Sequence, residues 1–128
     1  MIWTLITLVV IVAGWYWFEG GWDRRLFTGD CVNVKAPAAK AYLAQHPGTQ
    51  VLDVRSDHEF QGGALPGAMN VSIGDAEFET KVDRLDRDQP VLVYCAGGYR
   101  SRKAAEKLKT MGFKTIRHLH RGYMSWQG

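Results

Sequence analysis

The feature that most constrains this chain is a short apolar run, Val91-Leu92-Val93-Tyr94, which ends at Cys95 and two glycines before a helical pattern begins. A run so short and so uniformly apolar reads as a strand buried on both faces, the condition of a central strand in a parallel sheet. Parallel neighbours cannot be joined by a tight hairpin, so helices must carry the chain back across the sheet.

The sequence from Cys31 onward keeps that rhythm of apolar runs and helical patterns. Residues 31–34 read as a first strand, and Pro37 opens a helix to about residue 45 that His46-Pro47-Gly48 stops. A buried strand over 51–54 precedes a short helix over 56–60. Gly62-Gly63 and Pro66-Gly67 bracket a turn into a strand over 68–72. Residues 74–85 form an amphipathic acidic pattern with Phe78, Val82 and Leu85 on one stripe. After the central strand, residues 101–111 read as a helix closed by Gly112, and residues 115–119 as the last strand. The fold class expected is α/β: a doubly wound, five-stranded parallel sheet.

Residues 1–18 stand apart, because they contain no charged side chain. As a helix they would extend about 27 Å, enough to cross a bilayer. Trp15, Tyr16, Trp17, Phe18 and Trp22 gather at one end and Trp3 at the other, as side chains at headgroup level do. A cleaved signal peptide would carry a basic leading region, which this segment lacks. The expected organisation is a transmembrane helix over 1–18, a linker over 19–29 and a single domain over 30–128. Arg24, Arg25, Lys35 and Lys40 lie behind the span and no base precedes it, so a single-pass protein with a cytoplasmic domain is expected.

The formal charge of +3 is unevenly spread. Beyond Cys95 there are eight bases, from Arg100 to Arg121, against the single acid Glu106, while acids dominate residues 48–95. A cationic field of this kind draws small anions. Without interleaved aromatics or a binding motif it does not point to nucleic acid. The two cysteines, Cys31 and Cys95, form no metal-binding spacing, which fits a reducing compartment and a reactive lone thiol.

Cys95 sits where an open parallel sheet places its ligands, beyond the carboxyl end of a strand. The loop Cys95-Ala96-Gly97-Gly98-Tyr99-Arg100 has glycines that let backbone amides converge on the sulfur. Ser101 reads as the cap of a helix whose positive end faces the same point. These donors and Arg100 favour thiolate over thiol.

This loop resembles the active-site loop of the rhodanese family of sulfurtransferases, with its Cys-x4-Arg spacing. Leu52-Asp53-Val54-Arg55 with Glu59-Phe60, the segment Leu65-Pro66-Gly67-Ala68-Met69-Asn70-Val71, and Leu119, Gly122 and Trp126 resemble the family's other landmarks. The likeness extends from Cys31 almost to the end of the chain. It departs at Ala64, where the family commonly has histidine, and at Arg121, where it has glycine. Few residues follow Trp126, leaving little room for a terminal helix.

The resemblance implies a rhodanese-like fold and a sulfurtransferase in which Cys95 takes a sulfane sulfur as a persulfide and passes it to a thiol acceptor. Ala96, Gly97, Gly98, Tyr99 and Arg100 would bind the anionic donor, with Asp53, Arg55 and Ser101 in support; neither metal nor cofactor is required. A membrane protein partner would account for the tether. Two alternatives stand beside this reading. A phosphatase would use a similar loop, but one residue longer, Cys-x5-Arg, to admit a phosphoryl group. A non-catalytic rhodanese-like module would tether a partner, although inactive members commonly lack the cysteine. Cys31 reads as a small buried residue rather than a partner for Cys95. His46, His58, His118 and His120 have no ligand spacing and read as exposed.

Overall fold

The computed structural model describes residues 2–126. Met1, Gln127 and Gly128, the outer limits of the expected span and domain, lie outside the described residues. Helix α1 (Ile2–Leu26) is followed by β1 (Cys31–Val34), α2 (Ala36–Gln45), β2 (Gln50–Asp53), α3 (Asp57–Gln61) and β3 (Met69–Asn70). Next come α4 (Phe78–Val82), β4 (Val91–Tyr94), α5 (Tyr99–Thr110), β5 (Ile116–Leu119) and α6 (Gly122–Trp126). The five strands form one sheet in the order β1-β5-β4-β2-β3, with every pairing parallel. Helices cover both faces, and β4 lies between β5 and β2 as its uniformly apolar sequence requires.

The two-residue period of the strands divides the core. Val91 and Val93 of β4 join Leu52, Val54, Phe78, Leu108 and Ile116 on one side, while Leu92 and Tyr94 join Ala39, Val51, Leu65 and Leu119 on the other. Pro at the start of α2 and the Ser56–Glu59 capping box at the start of α3 mark helix beginnings that are legible in the sequence.

Strand β3 is two residues long rather than the expected 68–72, and three helices depart most from the sequence-based expectation, each for a physical reason. Helix α4 is shorter than 74–85, because the Asp75 carboxylate accepts from the Glu77 amide at 2.8 Å and so holds a turn in place of the first helical bonds. Helix α6 forms where no helix was expected, its first residues docking on the loop after β4. Helix α1 does not stop at Phe18 but runs through Gly20 and Gly21 to Leu26, so most of the expected linker is helical. Leu26 is buried in the domain core, and Asp23 pairs with Arg102 of α5 at 2.6 Å. Tertiary contacts of this kind outweigh the roughly 1 kcal/mol that each glycine costs a helix. Helix α1 is long and apolar enough to cross a membrane, and Trp15, Tyr16, Trp17 and Phe18 are exposed along it.

Candidate active site

Cys95 leaves the carboxyl end of β4 and is itself buried, while Gly97 and Tyr99 on the loop beyond it are exposed. Gly98 has a left-handed backbone (φ 103°), a conformation that glycine takes without strain, and it is the N-cap of α5. That turn brings the Gly98 amide to donate to Cys95 Sγ at 3.1 Å. The sequence placed the helix start at Ser101; the helix begins at Tyr99, and Ser101 therefore lies in its first turn rather than at its cap. From there its hydroxyl stands 3.3 Å from the same sulfur. The start of a twelve-residue helix thus sets two hydrogen-bonding groups against one sulfur.

The loop is held from below by the corner between β5 and α6. Tyr123 donates its amide to the Cys95 carbonyl at 2.8 Å, and Met124 donates to the Ala96 carbonyl at 3.1 Å. Gly122, with φ 59°, allows this approach, because a Cβ there would collide with the Cys95 carbonyl oxygen and stand 2.7 Å from that of Ala96. Arg121 shares the left-handed conformation at φ 58°, unusual for a residue with a side chain.

Arg100 reaches across to α3. Its guanidinium makes a bidentate pair with Glu59 of α3, at 2.7 and 2.9 Å, and so ties the loop across the mouth of the sheet. The Arg100 hydrogen bonds hold the Glu59 carboxyl down to about 2. Asp53 and Arg55 are both buried and form a second brace. Arg55 Nε lies 3.1 Å from each Asp53 oxygen, and its Nη2 donates to the Gly63 carbonyl at 2.6 Å. Tyr94, one residue before the cysteine, donates its hydroxyl to Asp53 at 2.6 Å and accepts from the Leu65 amide at 3.0 Å. Burial, with the Asp53 hydrogen bond behind it, pushes the Tyr94 phenol up. The Arg55 guanidinium lies 4.3 Å from the centre of the Tyr123 ring. Both pairs stand beside the loop as braces.

Much of the cationic charge on α5 is neutralised by such pairs. Arg102 meets Asp23 and Lys107 meets Glu79 at 2.6 Å, while Lys109 keeps its charge and donates to the Leu26 carbonyl at 2.8 Å. The Tyr99 ring packs edge-on against Trp22, with centroids 5.5 Å apart. Beside this contact a cavity of about 350 Å³ is lined by Trp15, Phe18, Trp22, Gly97, Tyr99 and Arg102. The aromatic end of α1 and the outer edge of the cysteine loop therefore share one recess.

His118 was expected to be exposed and is instead fully buried. Its Nε2 lies 2.6 Å from Ser101 Oγ and 3.2 Å from the Gly98 carbonyl oxygen. Burial is the chief cause that pulls its pKa down to about 3, so the ring is neutral. Sequence patterning missed this because His118 and His120 alternate, across the end of β5, like residues on a solvent-facing strand. His120 is half-buried and shares Asn33 with His118. His46 stacks on Tyr42, and His58 is exposed.

Cys31 is buried, and burial raises its pKa. It is in register with Ile116, which also aligns with Val91 at the opposite end of β4 from Cys95. Four residues of strand rise separate the two levels by about 13 Å, far beyond disulfide reach.

A family model for the rhodanese-like domain matches residues 36–128. YtwF of Bacillus subtilis (strain 168), named as a candidate sulfurtransferase, is 30% identical over 95 residues, covering 74% of this chain and 89% of its own length. Among solved structures, a rhodanese-related protein from Thermoplasma volcanium is 32% identical with a TM-score of 0.63, over 74% of this chain and 89% of that one. The human single-domain sulfurtransferase TSTD1, at 21% identity and a TM-score of 0.63, covers 78% of this chain and 96% of its own, and shares the fold.

Proposed function

This chain belongs to the rhodanese-like family, and from that premise we propose that it is a sulfurtransferase working through a persulfide on Cys95. The observation that carries the reading is the pair of groups set on one sulfur, the Gly98 amide at 3.1 Å and the Ser101 hydroxyl at 3.3 Å. Donors fixed in place before reaction lower the cost of holding a thiolate and of accepting negative charge on an outer sulfur.

With thiosulfate as donor, the Cys95 thiolate attacks the sulfane sulfur, a new S–S bond forms, and the old one breaks with its electron pair leaving on sulfite. An acceptor thiolate then attacks the outer sulfur of the persulfide, and the Cys95 thiolate is released. The protein is neither oxidised nor reduced over the cycle. Ala96, Gly97 and Tyr99 form the rim that the donor and acceptor meet, and Arg100 acts through Glu59 to keep that rim closed. The loop spacing, Cys-x4-Arg, suits a sulfur atom better than a phosphoryl group.

Helix α1 serves as a single-pass anchor in this reading, with the domain on the cytoplasmic side. The recess lined by both its aromatic end and the loop supports a reading in which sulfur passes to a membrane-associated acceptor.

The test is the intact mass of the full chain after incubation with thiosulfate or a polysulfide. A gain of one sulfur atom that a thiol removes, and that Cys95→Ser abolishes, is the expected result. Hydrolysis of an aryl phosphate without any sulfur adduct would overturn the proposal.

A further inference from the structure

Behind Ser101 lies a buried histidine, His118, that the loop chemistry above does not use. Ser101 Oγ stands between Cys95 Sγ at 3.3 Å and His118 Nε2 at 2.6 Å, and both Ser101 and His118 are fully buried. A serine hydroxyl has one hydrogen to give, so it can donate to the sulfur or to the imidazole but not to both. Which one it serves depends on which nitrogen of His118 carries the ring hydrogen.

Two neighbours bear on that choice. The Gly98 carbonyl oxygen lies 3.2 Å from Nε2 and accepts from Arg102 Nη1 at 2.7 Å; a backbone carbonyl can only accept, so its second lone pair still calls for a hydrogen on Nε2. The Asn33 amide lies at the other nitrogen, with Oδ1 2.9 Å from His118 Nδ1 and Nδ2 3.0 Å from His120 Nδ1. An asparagine amide exchanges its oxygen and nitrogen by a half-turn, whereas the Gly98 carbonyl is fixed by the loop. The neighbour that cannot turn decides: the hydrogen belongs on Nε2, the Asn33 amino group turns to Nδ1, and its carbonyl turns to a protonated His120 Nδ1. That one hydrogen is shared between the Gly98 carbonyl at 3.2 Å and Ser101 Oγ at 2.6 Å, and an Nε2 that carries it has no lone pair to accept from the serine. The only use left for the serine hydrogen is the sulfur.

We propose that His118 is a positioning residue that, held as the Nε2–H tautomer by the Gly98 carbonyl, aims the Ser101 hydroxyl at the sulfur of Cys95. It touches neither donor nor acceptor and acts through Ser101. The proposal rests on the sulfur-transfer reading only in taking Cys95 as the reacting atom. A burial that looks costly for a histidine then has a use, since a neutral ring keeps its hydrogen-bond direction where a charged ring would not need to. The charged and titratable groups facing His118 are Arg102 of α5, Asp23 of α1 and His120 just after β5, with the Phe27 ring packed 5.2 Å away. Asp23, the one acid among them, is paired with Arg102, and burial outweighs its pull on the ring. Arg100 lies within electrostatic reach of Cys95.

Two measurements on the full chain in detergent micelles test this, and neither needs a sulfur donor. In the first, nitrogen NMR of histidine-labelled protein should show His118 protonated at Nε2 and bare at Nδ1, unchanged from about pH 5 to about pH 9. A hydrogen on Nδ1, or a doubly protonated ring, would overturn the proposal, and this reading requires no variant to fold. In the second, the rate of iodoacetamide alkylation of Cys95 at pH 7, followed by peptide mass, should fall about tenfold in Ser101→Ala and in His118→Leu. The double variant should show no further fall, and His118→Gln, which restores a donor, should recover most of the rate. Slowing in Ser101→Ala with none in His118→Leu would mean that the serine acts alone and would also overturn the proposal. Failure of the sulfur-transfer reading would appear elsewhere, as absence of the persulfide mass in the unaltered chain.

Discussion

Gly122 lies directly beneath Cys95, so close that a single added carbon would run into the Cys95 carbonyl oxygen. The contact couples the last helix to the candidate nucleophile, because the amides of the next two residues bond the Cys95 and Ala96 carbonyls. Gly122→Ala faces both the collision and a left-handed backbone, and should cost on the order of 2 to 3 kcal/mol. Urea unfolding would read that loss. Sulfur loading of Cys95 should fall with it, because relief of the clash moves the loop. A variant as stable as the parent would show that the corner can give way.

Glu59 and Arg100 make a second testable pair. If Arg100 acts through its bidentate pair with Glu59, as proposed, Glu59→Gln and Arg100→Gln should slow sulfur loading to a similar extent, and the double variant no further. A role in binding the anionic donor would instead leave Glu59→Gln active or improved. Both side chains are about one third exposed, so the pair's effect on global stability should stay below about 1 kcal/mol. Its sign with pH follows from the carboxyl, whose folded value of about 2 lies below its ordinary 4.5. The contribution is complete above 4.5 and is lost as pH falls from there toward about 2.

The central strand and the loop were legible because their signal is local: four apolar residues, a cysteine and two glycines in succession. What the sequence hid is non-local. His118 looks exposed because it is polar and alternates with His120, yet Phe27, Ser101 and the Gly98 carbonyl close over it from other elements. Gly20 and Gly21 read as the end of a helix, and only the docking of Asp23 and Leu26 on the domain shows why the helix continues. The Glu59 to Arg100 tie joins residues 41 apart, where no periodicity operates.

The buried His118 makes a separate prediction about acid. Its ordinary pKa of 6.5 is lowered to about 3 by burial. Above 6.5 both folded and unfolded forms are neutral and the group contributes nothing to pH dependence. As pH falls toward about 3 the unfolded chain takes up a proton that the folded chain refuses, so stability declines through this window by up to a few kcal/mol. Chemical denaturation of the full chain at a series of pH values should show that slope. His118→Gln should flatten it, and an unchanged slope in that variant would assign the acid sensitivity to other groups.

The way α1 joins the domain predicts where the chain can be shortened. Trp22, Asp23 and Leu26 face α5 and the core, whereas Ile2, Trp3, Leu5 and the residues up to Phe18 are exposed along the helix. A chain beginning at Gly20 keeps every one of the former and should fold as a soluble domain with the melting temperature of the full protein in detergent. A chain beginning at Thr28 loses Leu26, whose burial alone is worth about 1.5 to 3 kcal/mol, together with the Arg102 partner Asp23. Its melting temperature should drop by roughly 10 °C or more, since 1 kcal/mol shifts a domain of this size by about 4 to 8 °C. Because Trp22 packs on Tyr99 at the edge of the cysteine loop, the shorter chain should also load sulfur on Cys95 more slowly even below its melting transition. Equal melting temperatures for the two chains would mean that the last two turns of α1 rest on the domain without stabilising it.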